Sequence, residues 1–270
     1  KSEISIYRYA MWNRLYRNIQ CSKINNFPQY SSKLLRGTAG TCDIHTWDKR
    51  LSRKQFRLVK LIGQIAEENK YPVYLVGGIV RDILLKKPNF DLDIVIEGDG
   101  IKFAEELASR IKAKLACHQK FGTATLHLSG HSKIDIATAR KEVYEFPGAL
   151  PRVAFGTIEE DLLRRDFSIN ALAIQLNSSR FGELIDFCKG KEDLNHRKVR
   201  VLHDFSFVED PTRILRAIRF KERLNFSWEI HTLMLLKEAV NQKVFASVKP
   251  PRLFAEVIKL LKEPQAKKNI

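Results

Sequence analysis

Apolar positions change period several times along this chain, and each change predicts an element. Across residues 51–70, Phe56, Val59, Leu61, Ile62 and Ile65 recur at helical spacing. Short β-branched runs then predict strands Val73–Val76 and Leu92–Ile96, with a glycine turn and a helix Ile79–Leu85 between them. A helix is expected over Ile101–Ile111, strands over Ala124–Leu128 and Ile134–Thr138, and a mobile loop over 141–160, where Pro147, Gly148 and Pro151 cluster. A helix Phe167–Ala173 and a short strand near Leu184–Asp186 close an α/β unit. From about residue 190 the pattern is helical, at 210–224, 229–240 and 252–263. Before residue 51 the pattern is weak: Tyr7–Ile19 fits a short amphipathic helix, and Asn25–Trp47 reads as loop.

Composition narrows the function. The 270 residues suit one large domain or two modest ones, and no apolar run approaches the roughly 18 residues of a membrane span. A net charge of +16 favours a polyanionic partner, and no membrane partner is expected. The four cysteines (Cys21, Cys42, Cys117 and Cys188) are too scattered for a zinc site or disulfide framework, so a reducing compartment, cytoplasmic or organellar, is the expectation. No secretion signal is seen, but the chain carries no acid between Glu3 and Asp43. That stretch resembles an organellar transit segment or the remnant of an upstream domain.

Four constellations carry candidate chemistry. Asp91 and Asp93 stand two apart on a predicted strand and so share a face. Like charges that close need neutralising, and a pair of divalent cations such as Mg²⁺ would do it. Asp135, on a neighbouring predicted strand, is a candidate third carboxylate or a salt-bridging Asp. Gly77-Gly78 joins a strand to a helix, a turn that offers backbone N–H groups to phosphate, with Arg81 in the first helical turn beside it. An ordinary tight turn with a surface Arg81–Asp82 pair is the alternative.

In Arg164-Arg165-Asp166-Phe167-Ser168-Ile169-Asn170, two adjacent arginines at a helix start would repel without an anion. This suggests a triphosphate on Arg165, with Asp166 and Asn170 holding backbone or ribose. Asp166 as a helix cap is the plain reading. The last run is Glu209-Asp210-Pro211-Thr212-Arg213-Ile214-Leu215-Arg216-Ala217-Ile218-Arg219-Phe220. Asp210 and Pro211 suit a helix start, and Arg213, Arg216 and Arg219 form a basic stripe. An Asp that accepts from an exocyclic amine and an Arg that donates to ring acceptors fit cytosine and adenine. Guanine and uracil place a carbonyl oxygen where the amine should be.

Taken in order, Gly-Gly-x-Val-Arg-Asp, Asp-x-Asp, Arg-Arg-Asp-Phe-x-x-Asn-Ala and Glu-Asp-Pro-x-Arg-x-Leu-Arg-x-x-Arg-Phe resemble the class II tRNA nucleotidyltransferases and related bacterial poly(A) polymerases, within the DNA polymerase beta nucleotidyltransferase superfamily. The resemblance covers about residues 55–263. It implies an α/β (α+β) head with a mixed sheet over 51–190, an all-helical neck over 191–270 and a loosely structured basic extension over 1–50. It also implies Mg²⁺ on Asp91 and Asp93, nucleotide contacts at Gly78, Arg81 and Arg165, and base selection by Asp210 and Arg213 with Arg216 and Arg219 nearby. Arg252 and Glu256 match a further neck motif, and 141–156 matches a segment tied to switching between CTP and ATP. The expected activity is addition of CMP and/or AMP to the tRNA 3′ end. Poly(A) synthesis, CC-only or A-only addition, and a non-catalytic RNA-binding module are the alternatives. Body and tail domains that grip tRNA in the family have no counterpart before Ile270.

Overall fold

A computed structural model describes residues 51–89, 91–119, 122–128, 133–143 and 152–263. The expectations for residues 1–50, and for 144–151 within the predicted loop, lie outside the described residues. The chain enters through helix α1 (Arg53–Glu68), opened by a reciprocal Ser52–Gln55 capping box. Strand β1 (Val73–Val76) turns at Gly77 into α2 (Gly78–Leu84), and β2 (Leu92–Ile96) leads to α3 (Gly100–Ile111), whose first amides are accepted by Asp99. Strands β3 (Lys114–His118), β4 (Thr123–His127), β5 (Lys133–Thr138), β6 (Arg140–Val143) and β7 (Arg152–Phe155) follow, and then helix α4 (Ile158–Leu163). After a 3₁₀ turn at Ser168–Asn170 come β8 (Ala173–Gln175), β9 (Leu184–Ile185) and α5 (Gly190–Asn195).

Seven strands form one mixed sheet in the order β3-β4-β5-β2-β1-β8-β9. Only β2 and β5 run parallel; the other pairings are antiparallel. The period-2 alternation sorts its residues by face. Val73, Leu75, Leu92, Ile94, Ile96, Ile134 and Ile136 join α1 and α3 in the main core. Tyr74, Val76 and Val95 turn to the other face, with Ile158 and Leu162 of α4 in a smaller cluster. Strand β2 therefore turns Leu92, Ile94 and Ile96 inward and carries Asp93 on the opposite face.

The remainder is mostly helical: α6 (Ser206–Glu209), α7 (Thr212–Leu224), α8 (Ile230–Asn241) and α9 (Pro250–Leu261). It is not all helical, because β10 (Lys198–Val199) and β11 (Ser227–Trp228) form a short parallel pair. Two residues in each strand are too few to leave a period in the sequence. The main core does not stop at residue 190: Val199, Val201, Phe207, Ile214, Ala217, Phe220 and Leu224 belong to it. Phe220 meets Phe167 edge-on with ring centroids 5.8 Å apart. Among the described residues, no helix is long and apolar enough to cross a membrane.

Two sequence expectations are corrected here. Phe167–Ala173 is not a helix; the apolar run passes through a 3₁₀ turn into β8, which is buried on both faces. A short all-apolar run fits either element, and sheet pairing with β1 decides it. The described parts of 141–160 are not loop. Residues 140–143 and 152–155 pair as an antiparallel ribbon, β6 with β7, and α4 follows with its own Thr157–Glu160 capping box.

Candidate active site

A cleft of about 760 Å³ opens on the sheet face opposite the main core, walled by α7 and α9. Of the residues singled out from sequence, Gly77, Gly78, Arg81, Asp91, Asp93, Arg165, Asp166, Asn170, Asp210, Arg213 and Arg216 line it. Asp135 and Arg219 do not.

Asp91 is exposed just ahead of β2, and Asp93 is partly buried within it. Burial pushes the Asp93 carboxyl up, and the neighbouring charges of Asp135 and Asp91 push it further than Arg165 can offset. Asp135 sits across the parallel pair from Asp93 but is held on its own side, accepting from Thr125 Oγ1 at 2.7 Å and Lys133 Nζ at 2.6 Å. The carboxylates that face the cleft from β2 and its approach are thus Asp91 and Asp93. Among the described residues, no group of three or more His, Cys, Asp or Glu side chains is placed to hold an ion. Two acids suit a hard divalent cation that keeps its other positions for water and phosphate oxygens.

The glycine turn is built for close approach. Gly77 has φ 71°, a left-handed conformation that other residues adopt at a cost. A Cβ there would lie 2.8 Å from Arg165 Nη1.

Arg164 and Arg165 cap the end of α4 rather than starting a helix, and their anion is supplied by the chain itself. The fully buried Asp161 accepts from Arg164 Nε at 3.1 Å on one oxygen and from Arg165 Nη2 at 2.9 Å on the other. Burial alone would raise the Asp161 carboxyl, but the charges of Arg165 and Arg164 outweigh it and hold it below the usual carboxylate range. Sequence reading passed over this residue; the i+3 and i+4 spacing to the two arginines was its signal.

A second buried network joins the sheet to α7. Arg81 donates from Nε to Asp82 at 2.9 Å and from Nη1 to Asn170 Oδ1 at 2.7 Å. Asn170 Nδ2 donates to Asp166 Oδ1 at 3.0 Å, and Arg216 donates from Nε to Asp166 Oδ2 at 2.9 Å and from Nη2 to the same oxygen. Arg81, expected on phosphate, is 4% exposed and lies over the Phe220 ring, its centroid 5.4 Å away. Asp166 does not cap a helix; it accepts from the Phe167 amide at 2.9 Å and is the central acceptor of this network at the cleft wall. Burial would raise its carboxyl too, but Arg216 and Asn170 prevail and lower it.

Depressed folded-state values fix the sign of a pH effect. Asp161 and Asp166 contribute stability that is present above the unfolded carboxylate value of about 3.9 and is lost as pH falls through their lower folded values. Melting temperature should accordingly drop steeply below about pH 4. Asp166→Asn should flatten that acid limb, as scanning calorimetry across pH will show.

On α7, Arg213 is buried and donates from Nη1 to Ser206 Oγ at 2.8 Å and from Nη2 to the Arg164 carbonyl at 2.9 Å. Asp210 accepts from the Thr212 amide at 3.1 Å, its hydroxyl at 2.6 Å and Arg252 Nη2 at 3.1 Å. Arg219 turns instead toward α9, with Glu256 at 3.9 Å and Glu263 at 3.7 Å. Arg223, which sequence reading missed, takes the cleft position below Arg216. Arg140, Arg164, Arg252 and Glu256 also line the wall.

Residues 73–200 match the family model described as the poly(A) polymerase head domain. An A-adding tRNA nucleotidyltransferase of Geobacter sulfurreducens is 44% identical over 84% of this chain and 26% of its own length. A solved apo CCA-adding enzyme superposes with a TM-score of 0.79 at 48% identity, covering 82% of this chain and 52% of that one. The Thermotoga maritima CCA-adding enzyme complexed with tRNA gives 0.73 at 46% identity, covering 82% and 50%. Further relatives are named as CC-adding and CCA-adding enzymes, and further solved structures as CCA-adding enzyme complexes with ATP and with CTP. The chain spans about a quarter to a half of the curated relatives it matches. With the mixed sheet, the paired acids beside a glycine turn and the arginine-lined cleft, these likenesses show that the chain belongs to the class II tRNA nucleotidyltransferase family.

Proposed function

We propose that this chain is a template-independent nucleotidyltransferase that adds AMP and/or CMP, from ATP or CTP, to the 3′ end of tRNA. Residues 51–190 serve as its catalytic head and 191–270 as its base-reading neck. The observation that carries the reading is one cleft lined together by Asp91 and Asp93, the Gly77-Gly78 turn and Arg213, Arg216 and Arg223 of α7.

Nucleotidyltransferases of this family generally use divalent metals. In our reading two Mg²⁺ ions would be held by Asp91 and Asp93, and when bound they would supply the Lewis acids that activate the RNA 3′-hydroxyl and steady the departing pyrophosphate. Asp135, its carboxylate engaged by Lys133 and Thr125, shapes the charge around Asp93 from the adjoining strand. Gly77 and Gly78 bring backbone close to the triphosphate, and Arg165 faces it from Asp161. The Arg81–Asn170–Asp166–Arg216 network holds this floor against α7, so that phosphate and base are gripped in fixed relation. Asp210 and Arg213 choose the base, each oriented by its partners, Arg252 and Thr212 for the acid and Ser206 for the guanidinium. Arg219 acts through Glu256 in holding α9 to α7.

The test is Mg²⁺-dependent transfer of labelled nucleotide onto tRNA lacking its 3′ end, with ATP alone, CTP alone and both. The A-adding name of a relative makes AMP addition to tRNA ending in CC the first outcome to examine. Transfer with neither nucleotide would refute the proposal, and long adenylate tails would move it to a poly(A) polymerase. Arg213→Ala is expected to raise incorporation of GTP and UTP relative to ATP and CTP by at least about tenfold. A variant as strict as the parent protein removes Arg213 from base reading.

A further inference from the structure

Phe155, the last residue of β7, is 76% exposed, and Val153 is 39% exposed. Phe155 stands directly across the β6–β7 ribbon from Arg140, and directly opposed residues project on one face with Cβ atoms about 5 Å apart. Val153, two residues earlier, shares that face. Arg140 lines the cleft, so the ribbon face that carries Phe155 and Val153 continues the cleft outward as an apolar rim.

The backbone beneath this rim is fixed. The Gly156 amide donates to the Ala139 carbonyl at 2.9 Å. A Cβ on Gly156 would lie 2.9 Å from Arg140 carbonyl carbon, Lys141 nitrogen and Glu160 Oε2 alike, so only glycine lets the ribbon close onto α4. The Thr157–Glu160 capping box then locks the exit. An aromatic face is thereby presented to solvent on an anchored strand end, paired across the ribbon with Arg140 of a cleft wall that also carries Arg164, Arg223 and Arg252.

We infer that Phe155 is a stacking platform for the base at the 3′ end of the acceptor RNA, with Val153 extending the apolar contact. The inference rests on the proposed function and names the RNA contact of that same site. The charge of that wall suits a phosphate backbone, and a single strand held by cations with its bases on aromatic rings is a common way to grip RNA without reading its sequence. The incoming nucleotide occupies the floor, between Gly77 and α7; the growing end must enter over the rim.

The experiment uses the full chain and an acceptor-stem RNA carrying 2-aminopurine at its 3′ terminus. Binding should quench the probe in the parent protein and in Phe155→Trp, and leave it bright in Phe155→Ala and Phe155→Leu. The last two should show a KM for RNA raised about tenfold, the order expected for losing one base–aromatic stack, with the KM for nucleotide unchanged. Leucine keeps apolar bulk without a π-face, so it separates stacking from packing. Equal quenching and equal RNA KM in Phe155→Ala overturn the inference while the enzyme reading stands. Quenching that depends on Phe155 without any nucleotide transfer supports it while the enzyme reading fails. No RNA binding by the parent protein overturns both. A parent dimer that Phe155→Ala converts to monomer, with RNA binding intact, assigns the face to a second copy of the chain and overturns the inference.

Discussion

Asp93→Asn is expected to lower nucleotide incorporation by about 10³-fold, the scale seen when a group aimed at developing charge is removed from a closed site. The fold should survive, and without divalent ions it should melt slightly higher than the parent. The reason is electrostatic. Burial and the charges of Asp135 and Asp91 already disfavour the Asp93 carboxylate, so replacing it with a neutral amide of the same shape relieves repulsion. The relief should raise the melting temperature, at about 2–4 °C for each 1 kcal/mol in a chain this size. Adding Mg²⁺ should stabilise the parent and leave the variant unmoved, which calorimetry with and without the ion measures. Normal turnover in Asp93→Asn would remove the metal role outright.

Asp161→Ala should cause the largest loss of stability. The carboxylate is fully buried and accepts from two guanidinium groups that are less than one-fifth exposed. Removing one partner from a buried charge cluster costs about 3–5 kcal/mol. Arg165 would also lose the group that aims it past Gly77, so the KM for the nucleotide should rise in whatever fraction remains folded. Urea unfolding gives the first quantity and steady-state kinetics the second. Asp161→Glu, which restores charge with a longer reach, separates the two: stability should recover in part while the KM stays high. Wild-type stability in Asp161→Ala would show that Arg164 and Arg165 need no internal counter-charge.

The pattern of the chain made the central strand legible. Alternation in Leu92–Ile96 reports one face in the main core and one outside, and two acids of the same parity as Val95 had to lie outside. Edge strand β3 was not legible, because its residues are only partly covered and leave no clean alternation. Helix α4 is six residues long, too short for a 3.6 period to declare itself, and without it Arg164 and Arg165 looked like a helix start. On α7 the every-third-residue spacing misled. At about 100° per residue, a step of three falls roughly 60° short of a full turn, so Arg219 sits about 120° round from Arg213 and meets α9. A step of seven nearly closes two turns, which is why Arg223 lies under Arg216 at the cleft. No period encodes the destination of Arg81 either, since its partners Asn170 and Phe220 come from distant segments.

The core that runs without a break from the β-sheet through Phe167 and Phe220 into α7 sets how the molecule comes apart. Cleaving the backbone near residue 190 would not release two self-sufficient pieces, because each would bare apolar surface that the other now covers. Amides in β1 and in α7 should therefore exchange with solvent through the same global opening, at similar protection. A nucleotide bound in the cleft would slow both together.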